Sequence, residues 1–213
     1  MRLLHLLVLF SLACANCLTS CNSSTGTQAH VASITDTTNV NQETRAKSFS
    51  SDSAELTAFI RDFYKWKETK SSLYNFIPKS DSQDSIYIGI DWVEQDKRQK
   101  ELEATNYFSK EFLDNYTNIA KTIDNRLKDG SYNWLAGELP PFGNDANPWC
   151  NCQDFPDDYW RTLTVSKINR TNGDVTFVWT FDNLMYYRVV ATKSNGSWKI
   201  KYLQGFDYKE FLQ

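Results

Sequence analysis

Apolar residues in this chain change their spacing repeatedly, and each change marks a segment. From Leu3 to Leu12 they run almost unbroken, whereas from Asn22 to Ser51 Ser, Thr, Asn and Gln predominate and apolar positions are too sparse to show a period. Leu56, Phe59, Ile60, Phe63 and Tyr64 then recur at helical spacing behind Asp52-Ser53-Ala54-Glu55, which reads as a capping box and predicts a first helix. The segment Ile86 to Val93 alternates loosely and reads as a short extended piece or an irregular insertion. From Asp96 the helical period returns, with a break near Thr105. Phe108, Phe112, Tyr116, Ile119, Ile123 and Leu127 are spaced by threes and fours up to Gly130, a C-terminal cap. Every proline except Pro78 lies between Gly137 and Pro156, so neither a helix nor a central strand can cross that stretch. Its Phe142, Trp149 and Phe155 argue for an ordered functional loop.

Beyond Trp160 the period is two. Arg161 to Ile168 reads as a strand and Thr171-Asn172-Gly173-Asp174 as a hairpin turn, with Val175, Phe177, Trp179 and Phe181 forming an alternating face. Met185 to Lys193 is a further strand. Ser194-Asn195-Gly196-Ser197 turns the chain into a last strand, whose inward face is Trp198, Ile200 and Tyr202. Helices followed by a run of strands, without β-α alternation, predict an α+β domain in which the helices cover one face of an antiparallel meander.

The first apolar run follows Arg2 and ends in Leu18-Thr19-Ser20-Cys21, which resembles a bacterial lipoprotein signal. That resemblance divides the chain into a signal peptide (1–20), a lipidated Ser/Thr-rich tether (21–51) and one folded domain (52–213). It implies acylation of Cys21 and a lipid anchor in the bacterial cell envelope, at the outer membrane. Ala13-Cys14-Ala15 is the competing cleavage site and would release an unlipidated protein. The run is too short to span a bilayer comfortably, which takes about 20 apolar residues. Asp36-Thr37, Asp52-Ser53 and Asp84-Ser85 resemble acceptors of bacterial O-glycosylation.

The formal net charge is −3, and removing the signal takes away one basic residue. That balance argues against a nucleic-acid partner. Lys97-Arg98-Gln99-Lys100, followed by Glu101 and Glu103, reads as a solvated helix surface with internal ion pairs. His5 and His30 both precede the domain, so catalysis by Ser-His-Asp or Cys-His arrangements is excluded there. Asp154, with Asp157, Asp158 and Tyr159 nearby, is the candidate for acid-base work of the Asp/Tyr type. The plainer reading has Gln153 and Asp154 hold the loop by bonding backbone amides. Cys150 and Cys152 could be a redox pair, half a metal site, two thiols or a local disulfide. A zinc site would need two more ligands, and no cofactor or metal is expected. Asp145-Ala146-Asn147 begins like a calcium loop but has neither the Gly nor the closing Glu.

The helix order, the run Asn147-Pro148-Trp149-Cys150-Asn151-Cys152-Gln153-Asp154-Phe155-Pro156 and the terminal Asn195-Gly196-Ser197-Trp198-Lys199-Ile200 resemble the DUF3828 family of small bacterial periplasmic proteins and lipoproteins. The resemblance implies an NTF2-like (cystatin-like) cone, a curved antiparallel sheet closed by helices. It brings no established activity. Function is therefore expected to be a membrane-anchored, non-enzymatic module binding a small ligand or an envelope protein, through pocket or loop residues Trp149, Gln153, Asp154 and Tyr159. The alternatives are an Asp/Tyr enzyme, or an immunity-type inhibitor of a toxin or lysozyme.

Overall fold

The computed structural model describes residues 37–71, 74–83, 85–154, 156–182 and 185–213, with side chains from residue 52 onward. The signal segment, Cys21, Asp84 and Phe155 lie outside the described residues.

Helix α1 runs from Thr37 to Thr69, so Asp52 lies inside it and caps nothing. The expected start at Asp52 is corrected: the carboxylate of Asp52 instead pairs with Arg170, and Glu55 pairs with Lys193 and accepts the indole N–H of Trp198 at 3.3 Å. Strands β1 (Pro78–Ser80) and β2 (Tyr87–Ile90) form a small antiparallel sheet, which settles the ambiguous 86–93 segment as strand and then helix. Helix α2 (Trp92–Ala104) starts on Asp91, whose side chain accepts the amides of Val93 and Glu94, and it ends at Thr105 as the break predicted. Helix α3 (Lys110–Lys128) is capped by Ser109. Its apolar stripe from Phe112 to Leu127 is buried.

A short 3-10 turn at Tyr159–Arg161 occupies what reads as the start of a strand, and β3 begins at Thr164. Drawing Tyr159 and Leu163 into the core requires that turn. Strands β3 (Thr164–Thr171), β4 (Asp174–Phe181), β5 (Met185–Ser194) and β6 (Ser197–Leu203) pair in sequence order, all antiparallel. The β3–β4 and β5–β6 hairpins turn on Asn-Gly with positive φ at both residues: 53° and 86° at Asn172-Gly173, 51° and 78° at Asn195-Gly196. That geometry matches the twist of the flanking strands. A helix α4 (Tyr208–Phe211) ends the chain.

The alternation along β4 is as expected, with Val175, Phe177 and Trp179 fully buried. On β6 it is interrupted. Val190 pairs with Tyr202 and Ala191 with Ile200, so Lys201 is an extra, bulged residue. Because the side-chain period is two, one inserted residue reverses the faces beyond it. Leu203 therefore enters the core, while Tyr202 turns to Arg188, whose guanidinium donates to its hydroxyl at 2.8 Å. The outer edge of β6 is covered by residues 107–109: Ile200 N–H donates to Tyr107 at 2.7 Å and Ser109 N–H to Ile200 at 2.8 Å. A covered edge cannot pair with another chain.

Helix α1 is tied to β3 where Arg61 Nε donates to the Leu163 carbonyl at 2.8 Å. Between helices and sheet lies an aromatic core of Phe63, Tyr64, Phe108, Phe112, Trp149, Trp179 and Phe206. The four-stranded sheet and its helices form a mixed helix and sheet domain of the α+β kind.

Candidate functional site

The loop centred on Trp149 is held by its own carbonyls. Prolines remove donors but leave acceptors, and a buried acceptor needs a partner. Tyr187 of β5 donates its hydroxyl to the Pro148 carbonyl at 2.7 Å, and Tyr64 of α1 donates to the Trp149 carbonyl at 2.5 Å. Trp179 Nε1 donates to the Tyr64 hydroxyl at 3.1 Å, and Gly205 N–H donates to the Tyr187 hydroxyl at 2.9 Å. One strand, one helix and the chain beyond β6 thus converge on two adjacent peptide units. Burial, then neighbouring Tyr187 and Tyr159, pushes the Tyr64 hydroxyl well above the ordinary tyrosine range, so it acts as a donor.

Gln153 and Asp154 play no part in this. Both are exposed, and neither side chain bonds a described residue. The expectation that they pin the loop is corrected, because buried tyrosines already supply the donors its carbonyls require. Tyr159 is buried and donates to Glu68 at 3.0 Å, with its hydroxyl pushed up by burial and then by the Glu68 charge. An exposed Asp154 and a Tyr159 committed to Glu68 do not make an acid-base pair. Asp158 is an exposed partner of Arg161 at 3.1 Å.

Cys150 and Cys152 form a disulfide across Asn151, with Cα atoms 5.2 Å apart. The same turn is closed by Asn147 N–H donating to the Cys152 carbonyl at 2.8 Å. With both sulfurs bonded to each other, neither is a thiolate ligand. Trp149 enters the core against Phe206 at 4.6 Å, with Lys67 and Arg98 beside its ring at 5.7 and 5.6 Å. Arg98 is buried, which corrects the reading of 97–100 as wholly solvated: Lys97 is exposed and pairs with Glu94, while Arg98 faces inward. Lys67 falls three residues past Tyr64 on the apolar stripe of α1. That spacing, and not its charge, is the sequence signal for its burial.

An open aromatic concavity lies elsewhere. A groove of about 640 Å³ runs between β1 and the segment 134–142 and is walled by Tyr74, Phe76, Tyr87, Trp134, Pro140 and Phe142. Tyr87 and Trp134 meet edge to face at 4.4 Å, and the Trp134 indole donates to the Glu138 carbonyl at 3.0 Å, which fixes that wall. Tyr74 is 69% exposed on its rim, and Leu139 and Leu135 continue an apolar surface along the 134–142 wall. Asp124 of α3 secures the small sheet by accepting Ile90 N–H at 2.9 Å and the Lys128 ammonium at 2.7 Å. Of these groove residues the sequence marks out only Phe142 and Pro140, as part of the proline-rich loop, because the 86–93 segment by itself does not show what it faces.

Comparison with family models, with curated proteins and with solved structures returns no match. Among the described residues no helix is long and apolar enough to cross a membrane.

Proposed function

We propose that the chain is an envelope lipoprotein anchored through Cys21, whose domain is a non-enzymatic binding module built on an NTF2-like cone. The cone is supported by the bulges at Lys167 and Lys201, since a bulge bends its strand and increases the local twist. The interior of that cone is filled by Trp149, Trp179 and Phe206. The observation that carries the binding role is the open aromatic groove beside β1, with Tyr74 exposed on its rim. Apolar walls with few polar groups suit a ligand with an apolar face.

The continuation of this surface over Leu135 and Leu139 favours a second reading, in which an envelope or foreign protein docks there, as an immunity-type inhibitor would require. The Asp/Tyr enzyme is disfavoured by the exposure of Asp154.

Two measurements test the proposal. The neutral fluorophore N-phenyl-1-naphthylamine should bind wild type saturably and Tyr74→Asp at least severalfold more weakly; equal binding would remove the groove from the argument. Labelling with a clickable fatty acid should mark wild type and spare Cys21→Ala, and label persisting in the variant would overturn the anchor.

A further inference from the structure

Two cations are buried where the aromatic core meets α2. Lys67 is 1% and Arg98 5% exposed, and both lie against the Trp149 ring. Their compensation is incomplete. Arg98 Nη1 donates to Ser71 at 2.7 Å and to Glu101 at 2.6 Å, and Glu101 is itself partly exposed. Glu68, the other carboxylate near Lys67, is exposed and accepts from Tyr159. Lys67 has no ion-pair or hydrogen-bond partner among the described residues. Burial, and then the charge of Arg98, hold its ammonium below the ordinary lysine range against the opposing pull of Glu68.

Donors are left over as well. Arg98 Nε and Nη2 and Trp149 Nε1 are sealed from solvent with no hydrogen bond made, and so is Gln95 Oε1, although the Tyr116 hydroxyl, already donated to Asn75 at 3.1 Å, lies beside the guanidinium. Buried polar groups are almost always bonded, and exceptions point to a water or an ion. Charge and geometry decide between these. Water can satisfy one or two N–H groups but leaves the excess positive charge, whereas an anion answers both. Nε and Nη2 form the edge of the guanidinium that takes two oxygens of a carboxylate or phosphate in parallel. Gln95 can turn its amide to present Nε2, adding a donor.

We propose that the Lys67–Arg98–Trp149 cluster is a buried receptor for one small oxyanion, a carboxylate or phosphate group, gripped by the Nε–Nη2 edge of Arg98. This site is separate from the groove beside β1 and stands or falls independently of it. Lys67 supplies the second charge and Trp149 a further N–H. Ser71 and Glu101 are only part-buried, so the cluster meets the surface at that end.

The test uses the purified full chain in chloride buffer, with phosphate, sulfate or acetate added at matched ionic strength. Thermal midpoint and titration calorimetry should both report binding beyond that of chloride. Arg98→Lys, which keeps the charge and loses the fork, should bind at least tenfold more weakly, as should Arg98→Met and Lys67→Met. In chloride alone Lys67→Met should melt at or above the wild-type midpoint, since it removes a buried charge with no ion-pair partner, whereas Arg98→Met also ends the Glu101 pair and is read for binding alone. If the Met variants do not fold, Arg98→Lys and the wild-type titration still decide. A wild type that responds to no oxyanion more than to chloride, or an Arg98→Lys variant that binds as wild type does, overturns the proposal.

Discussion

Tyr187 donates its hydroxyl proton to the Pro148 carbonyl at 2.7 Å, and that bond joins the middle of the sheet to the proline-rich loop. The loop is held from within by strand and helix side chains, while its own polar residues face water. Tyr187→Phe and Tyr64→Phe each leave a buried carbonyl short of its donor. Each should lower stability in urea by about 1–3 kcal/mol. Gln153→Ala and Asp154→Ala should stay within about 0.5 kcal/mol of wild type, as surface changes do. The reverse order would show that the loop is anchored by its acidic end.

Gly205 packs directly on this junction. A Cβ at that position would lie 2.0 Å from the Pro148 carbonyl oxygen and 2.7 Å from its carbon, so backbone would have to move. Gly205→Ala should cost about 3 kcal/mol or more, at the upper end of overpacking effects, and should disturb the Tyr187 bond with it. Near-ultraviolet circular dichroism, which reports the packing of Trp149 and Trp179, would check this alongside the denaturation midpoint. An unchanged midpoint would mean that the loop sits further from the chain beyond β6.

Asp124 links acid pH to the small sheet that floors the groove. Burial pushes its carboxyl up, but the Lys128 ammonium, Ile90 N–H and the Trp92 side chain outweigh burial, and the net direction is down from the usual aspartate value. The folded state thus holds this group ionised where the unfolded chain protonates it. Its contribution is complete above the ordinary aspartate pKa of about 3.9 and is lost as pH falls through the lower folded value. Asp124→Asn keeps an acceptor for Ile90 and removes the charge, so its stability should fall less steeply in acid. Asp124→Ala orphans that amide and should cost about 1–3 kcal/mol at neutral pH. Identical acid limbs for wild type and Asp124→Asn in urea denaturation would remove Asp124 from the account.

Much of the fold follows from short-range pattern. The stripes on α1 and α3, the break at Thr105, the cap near Gly130, and both Asn-Gly hairpins are consequences of local backbone preference and of one buried face per element. These are properties a single segment carries with it. The sequence by itself also determined that the domain holds no histidine, and with it which chemistries are closed to it.

Tertiary structure decided what depends on two segments meeting. The bulge at Lys201 is set by pairing with β5, so the burial of Leu203 in place of Tyr202 could not be read from alternation along β6 alone. The backward extension of α1 through Thr37 overrides a capping box that is locally sound, because Asp52 finds Arg170 across the domain. Gln153 and Asp154 looked like the loop's anchors because acidic and amide side chains are the usual donors and acceptors in such runs. The hydroxyls of Tyr64 and Tyr187 hold the loop by its carbonyls instead, from elements 85 and 39 residues away. Lys67 and Arg98 are buried for the same reason: Trp149, arriving from the distant loop, closes over two cations that each helix alone would have left in water.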